Sequence, residues 1–250
     1  MKVSALIEHL NNLLRPEEFH DYAPNGLQVE GTPEVRRIAL GVSASLGLIE
    51  RASTYGADMV LVHHGWFWRG EDARLTGIKG RRVRALIKAN MNLVAYHLPL
   101  DAHPEFGNNA ELARLLGLTV ETRAGSLGLL NVGTINGGAV SVEKFAARVE
   151  RVLGRRPLLV GPEDGMVSRV AWCSGAAQDE LTAAADLGAQ LYLSGEISER
   201  TTFEAIELGI PYLAAGHTAT EQFGIQALGR HLKATFPELE IKYFAEENPV

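Results

Sequence analysis

Three short apolar runs in the chain end on histidine. Leu61-Val62 leads into His63-His64, Ala95-Tyr96 into His97, and Ala214-Ala215-Gly216 into His217. Two of these carry a carboxylate four residues on, Asp101 after His97 and Glu221 after His217. A histidine and a carboxylate at that spacing share one face when the segment after the strand is helical. The segment 218–231 reads as helical, which supports the shared face for His217 and Glu221; Pro99 makes the pattern weaker for His97 and Asp101. Successive side chains of a strand alternate, so His63 and His64 can serve neighbouring ions only where the backbone turns at the strand end. Imidazole with carboxylate, and no thiolate, suits zinc, manganese, iron or nickel. Two such ions about 3.5–4 Å apart would share a carboxylate and a bridging water and supply hydroxide near neutral pH.

Other residues offer less. The stretch from Gly41 to Gly47 follows a strand but lacks a P-loop lysine and the dinucleotide glycine spacing, so it reads as a helix-capping turn whose amides could hold an anion. Ser174-Gly175 is its counterpart further along. Cys173 has no adjoining base and reads as a buried, inert thiol. Trp66-Phe67-Trp68 is open to three readings: a surface that stacks a planar base, a wall that shields metals, or a subunit contact. Arg81, Arg82 and Arg84 read as a solvated helix face, with phosphate binding as the lesser reading.

The elements that must carry these residues repeat. Arg37-Ile38-Ala39 aligns with Arg169-Val170-Ala171 at an offset of 132, and Ala44, Ala52, Gly56-Ala57 and Leu61 keep that offset. Beyond a glycine-rich stretch after His64 the offset drops to 120, where His97 meets His217 and Asp101 meets Glu221. Each copy reads as strand, helix, strand, helix, strand: 38–42, 46–55, 58–62, 82–89 and 92–96, then 170–173, 179–187, 190–193, 202–208 and 212–215. The expected fold is α/β: two similar lobes related by internal duplication, mostly parallel strands, and a metal site between the lobes. The expected divisions are a first lobe 1–124, a connecting segment or small inserted lobe 125–168, and a second lobe 169–250. Within 125–168, residues 142–153 read as a helix capped by Ser141, and 158–160 as a strand that either stands apart or extends the main sheet.

Composition removes whole classes of function. Apolar residues at 46% and charged residues at 22% exclude general disorder. A net charge of −6 argues against bulk attraction to nucleic acid or an anionic membrane. A single cysteine excludes an internal disulfide and any cysteine-rich zinc site. No apolar run reaches the roughly eighteen residues of a membrane span. The first fourteen residues have the three-four apolar spacing of an amphipathic helix that stops before Pro16, rather than a signal peptide. A cytoplasmic location is expected.

Five motifs also carry a resemblance. They are the run from Asp21 to Gly31 (Asp-Tyr-Ala-Pro-Asn-Gly-Leu-Gln-Val-Glu-Gly), Val62-His-His-Gly-Trp-Phe67, and His97-Leu-Pro-Leu-Asp101 with Gly107-Asn108. The last two are Gly195-Glu-Ile-Ser198 and Ala215-Gly-His-Thr-Ala-Thr-Glu221. In this order they resemble the Nif-three-like dinuclear metal proteins, known as GTP cyclohydrolase I type 2 homologues. The resemblance implies two divalent ions per chain held by His63, His64, Asp101, His217 and Glu221, with His97 beside them but not ligating. It also implies two similar α/β lobes and a ring-shaped homohexamer. Two functions are therefore carried forward. The leading one is a metal-dependent hydrolase that opens the purine ring of GTP, with His97 as the proton carrier because imidazole titrates near neutrality. The alternative is a metal-binding ring-assembly or interaction protein without catalysis.

Overall fold

The computed structural model describes residues 1–250. The chain opens with α1 (Val3–Leu14), β1 (Gly26–Val29), β2 (Arg37–Ser43), α2 (Leu46–Tyr55), β3 (Met59–His64), α3 (Gly77–Lys88), β4 (Asn92–Ala95) and α4 (Leu98–Ala102). Next come α5 (Asn108–Leu116), β5 (Leu118–Ala124), β6 (Leu130–Ile135), β7 (Val140–Ser141), α6 (Val142–Leu153), β8 (Leu158–Val160) and β9 (Met166–Val167). The last are β10 (Arg169–Cys173), α7 (Leu181–Asp186), β11 (Leu191–Ser194), α8 (Glu199–Leu208), β12 (Tyr212–Ala214), α9 (His217–Thr235) and β13 (Glu240–Tyr243). Two compact units result: Met1–Gly107 with Gly224–Glu247, and Asn108–Phe223 with Asn248–Val250. No helix is long and apolar enough to cross a membrane.

In the first unit a five-stranded sheet has the order β1-β4-β3-β2-β13. β13, β2, β3 and β4 run parallel, and β1 adds to β4 in the opposite sense. Helices cover both faces, which is why β3 is apolar along almost its whole length. Leu6, Leu10 and Leu14 of α1 pack with Ile225, Leu228 and Leu232 of α9 over Leu40, Leu61 and Val94. Leu48 and Ile49 of α2, with Val83 and Leu86 of α3, cover Val60, Val62 and Leu93 on the other face. α1 ends where Arg15 turns left-handed before Pro16. α2 begins on Ser45, whose Oγ accepts the Leu48 N–H at 3.0 Å, so the stretch after Gly41 is the capping turn expected of it.

In the second unit a six-stranded sheet has the order β5-β6-β10-β11-β12-β8. Only β10, β11 and β12 run parallel; β5, β6 and β8 join in antiparallel fashion. β7 and β9 form a separate antiparallel pair. The expectation of mostly parallel strands is therefore corrected to a mixed α/β fold. The reason lies in the connections. A parallel neighbour needs a crossover of a dozen or more residues, whereas β5 returns directly into β6 through the glycine-bearing turn at 125–129. The 125–168 stretch supplies β6 and β8 to this sheet. Its core joins Leu112 and Leu116 of α5 and Phe145 and Val149 of α6 to Trp172, Leu191, Leu193 and Leu213.

α6 runs from a serine cap to a glycine stop: Ser141 Oγ accepts the Lys144 N–H at 3.2 Å, and Gly154 closes the helix at φ 68°. Ser141→Ala is expected to cost about 1 kcal/mol. That would lower the thermal midpoint by about 2–4 °C in a scanning calorimeter. An unchanged midpoint would show that the cap contributes nothing.

Candidate metal centre

β3 and β4 are parallel neighbours, so their carboxyl ends open at one edge of the first sheet, where α/β folds gather ligands. His63 and His64 close β3, and His97 follows β4. The two adjacent rings do not diverge as in a regular strand: their centroids are 4.4 Å apart. The ligand atoms of His63, His64 and His97 lie within 4.8 Å of one another, and such a group could hold a metal ion.

Each ring is oriented through one nitrogen. His63 Nδ1 faces the Tyr96 carbonyl at 3.0 Å. A carbonyl only accepts, so Nδ1 donates here and Nε2 is the nitrogen left to face a ligand. His64 Nδ1 pairs with Ser43 Oγ at 3.0 Å, a contact set by the Ser43–His64 register of β2 and β3. His97 Nδ1 meets Asp21 Oδ1 at 2.7 Å, and its backbone N–H donates to Asn25 Oδ1. Pro99 does not break the following turn, because it occupies the first turn of α4, where no N–H is needed. That turn brings Asp101 Oδ1 to 3.5 Å from His63 Nε2.

The second unit builds its set in the same manner at the ends of β11 and β12. His217 opens α9, and Glu221 one turn on places Oε2 at 3.0 Å from His217 Nε2. Glu196, just past β11, takes the other ring nitrogen at 2.6 Å. Thr220 ties the turn down, donating to the Gly216 carbonyl at 2.9 Å. Gly175 leaves room for the pair: a Cβ there would stand 2.1 Å from Glu221 Oε1 and 3.3 Å from His217 Nε2.

The charges follow from this geometry. Burial opposes the charge on His217, but Glu221 and Glu196 outweigh it and hold the ring at about 9. A cation bound at Nε2 must displace that proton. Burial alone would raise Asp21. The hydrogen bond from His97, with Asn25, the His97 charge and the Leu98 N–H, instead holds it down at about 2.

Asp21 and Glu196 had no assigned role in the sequence reading, although each lies inside one of the quoted motifs. Trp66 is buried, with Nε1 donating to the Ala44 carbonyl at 2.9 Å, so it belongs to the core. The aromatic ring beside the histidines is Trp68, edge-on to His97 at 5.0 Å between centroids, with Tyr22 on His97 at 6.3 Å. Cys173 is buried.

A sequence model for Duf34/NIF3 (NGG1p interacting factor 3) matches residues 1–249. A protein from Allochromatium vinosum described as a GTP cyclohydrolase 1 type 2 homolog is 51% identical over 235 residues, covering 94% of this chain and 92% of its own. A solved structure, protein ybgI of unknown function, superposes with a TM-score of 0.95 at 43% identity and covers all of both chains. The structure of TTHA1606 from Thermus thermophilus gives a TM-score of 0.89 at 33% identity over the same full coverage.

The position of Asp21 has a consequence for acid stability. Its pKa falls from 3.8 to about 2 on folding, so its contribution is complete above about pH 4 and is lost as the pH drops toward 2. Asp21→Asn should flatten that part of the curve of unfolding midpoint against pH. Superimposable acid limbs for the two proteins would contradict the assignment.

Proposed function

The chain belongs to the Duf34/NIF3 family, and we propose that it is a hydrolase dependent on two divalent ions that opens the purine ring of GTP. One observation carries this reading: each of the three proposed imidazole ligands has its Nδ1 held by an oxygen, His63 by Tyr96, His64 by Ser43 and His217 by Glu196. Rings fixed in this way are those that present a nitrogen to a metal. The donor set is imidazole nitrogen and carboxylate oxygen throughout, which fits zinc, manganese, iron or nickel. In the proposed centre His63, His64, Asp101, His217 and Glu221 would hold the ions. When bound, the ions would make water nucleophilic near neutral pH. Relatives that carry the GTP cyclohydrolase 1 type 2 homolog description support the substrate class.

The reaction adds water to the imidazole-ring carbon of guanine and breaks that carbon's bond to a ring nitrogen, which takes up a proton. A second water can then release formate. His97 is the proposed proton carrier. Asp21 holds its Nδ1, so Nε2 is the atom that exchanges the proton. Trp68 and Tyr22 supply aromatic surface beside it for a planar base.

The duplicated-lobe arrangement is part of the same proposal. Ile38 pairs with Met59 and Val170 with Leu191, so the register of β2 on β3 recurs in β10 on β11 at the offset of 132. His97 and His217, related by 120, each hold a carboxylate at Nδ1. The second reading, assembly into a homohexameric ring without catalysis, is favoured by exposed apolar side chains of the second unit, notably Phe203 and Ile206 on α8 and Leu158 on β8.

Metal-saturated, desalted protein should carry close to two equivalents by elemental analysis, and Glu221→Ala should lose at least one; two retained ions would refute the ligand set. His97→Ala should keep its metal and lose about a hundredfold to ten-thousandfold in turnover, read as formate released from GTP with manganese or zinc. Wild-type turnover in that variant removes the role given to His97. A wild-type protein with both ions and no turnover of any nucleotide moves the assembly reading ahead.

A further inference from the structure

Two guanidinium groups, those of Arg82 and Arg155, have a buried nitrogen with no acceptor from the protein, and Arg155 is the one beside a proposed metal ligand. It lies in the turn between α6 and β8, and its Nη1 is buried with no acceptor from the protein. Arg37, Arg74, Arg114, Arg169 and Arg200 all meet carboxylates. The guanidinium of Arg155 instead lies across Gly216, the residue before His217 at the carboxyl end of β12. A Cβ at Gly216 would fall 2.7 Å from Nη1 and 3.1 Å from Cζ, and the backbone there has φ +100°, so only glycine admits this approach. The two acidic side chains on His217 are committed elsewhere: Glu196 to Nδ1 at 2.6 Å and Glu221 to Nε2 at 3.0 Å. The amides of Ala215 and Gly216 are likewise spent on the Ser194 and Gly195 carbonyls. The donor without a protein acceptor at this strand end is therefore on the guanidinium, whose Nη1 is buried while the residue as a whole is half-exposed.

Buried donors are nearly always paired, and an exception calls for a role. We propose that Arg155 binds a phosphate group of the substrate, the planar fork of guanidinium matching two phosphate oxygens. The nucleotide identity of that substrate rests on the hydrolase reading above; the anion site itself does not. Arg156 beside it, exposed, adds positive charge in a chain whose net charge is −6.

The test is titration calorimetry of metal-loaded protein with inorganic triphosphate, then with GTP and guanosine. Arg155→Gln should weaken triphosphate and GTP by roughly tenfold to a hundredfold, and leave guanosine unchanged. Arg155→Lys should fall between, because it keeps the charge and loses the fork. It also serves if the glutamine variant does not fold. Absent triphosphate binding by the wild type, or equal binding by wild type and both variants, would overturn the proposal even if GTP is hydrolysed. Binding that depends on Arg155 in a protein that turns over no nucleotide would uphold the anion site and remove the hydrolase reading.

Discussion

An imidazole presents a lone pair in a fixed direction only when its other nitrogen is occupied, and the architecture around this site serves that requirement. The acceptors come from different places: a backbone carbonyl at Tyr96, a hydroxyl on the neighbouring strand at Ser43, and carboxylates from Asp21 and Glu196. Each depends on a strand ending at the correct residue. A one-residue slip between β2 and β3 would carry Ser43 away from His64 and turn the side chains of β3 to opposite faces. Dense packing of β3 between two layers of helices therefore also protects the orientation of the rings at its end.

Parts of this arrangement were legible in the sequence for physical reasons. Helices α2 and α6 each carry a serine at the start and a left-handed glycine at the stop, and both signals are local. The central strands β2, β3, β10 and β11 are apolar because they are covered on both sides. β5 was not legible in the same way. It is exposed along most of its length, so its Thr, Glu and Arg side chains give no core signal, and its place is set by pairing with β6. β13 is four residues long and half solvent-facing, and it acquires its identity from β2, some two hundred positions earlier.

The site divides along the same line. His63, His64, His97, Asp101, His217 and Glu221 stand out because spacing of one and four residues is readable along a chain. Asp21 reaches His97 across 76 positions, and Glu196 reaches His217 across 21, and no periodicity joins such pairs. Against the opposing effect of burial, Glu221 and Glu196 hold His217 protonated up to about 9, and His97, with Asn25 and the Leu98 N–H, holds Asp21 ionised down to about 2. Contacts that orient a ligand are less visible in sequence than the ligand itself.

The pairing of β13 with β2 also bears on how the protein is made. The first compact unit needs residues 224–247, whereas the second is contained almost wholly in residues 108–223. During synthesis the second unit can therefore close while the first still lacks its last strand and the α9 residues Ile225, Leu228 and Leu232. Until those emerge, β2 presents an open edge, with Ile38 and Leu40 beside it, to any other extended chain nearby. The residues of β2 are thus made well before the strand that completes their edge of the sheet, and that edge is the one open to mispairing while synthesis continues.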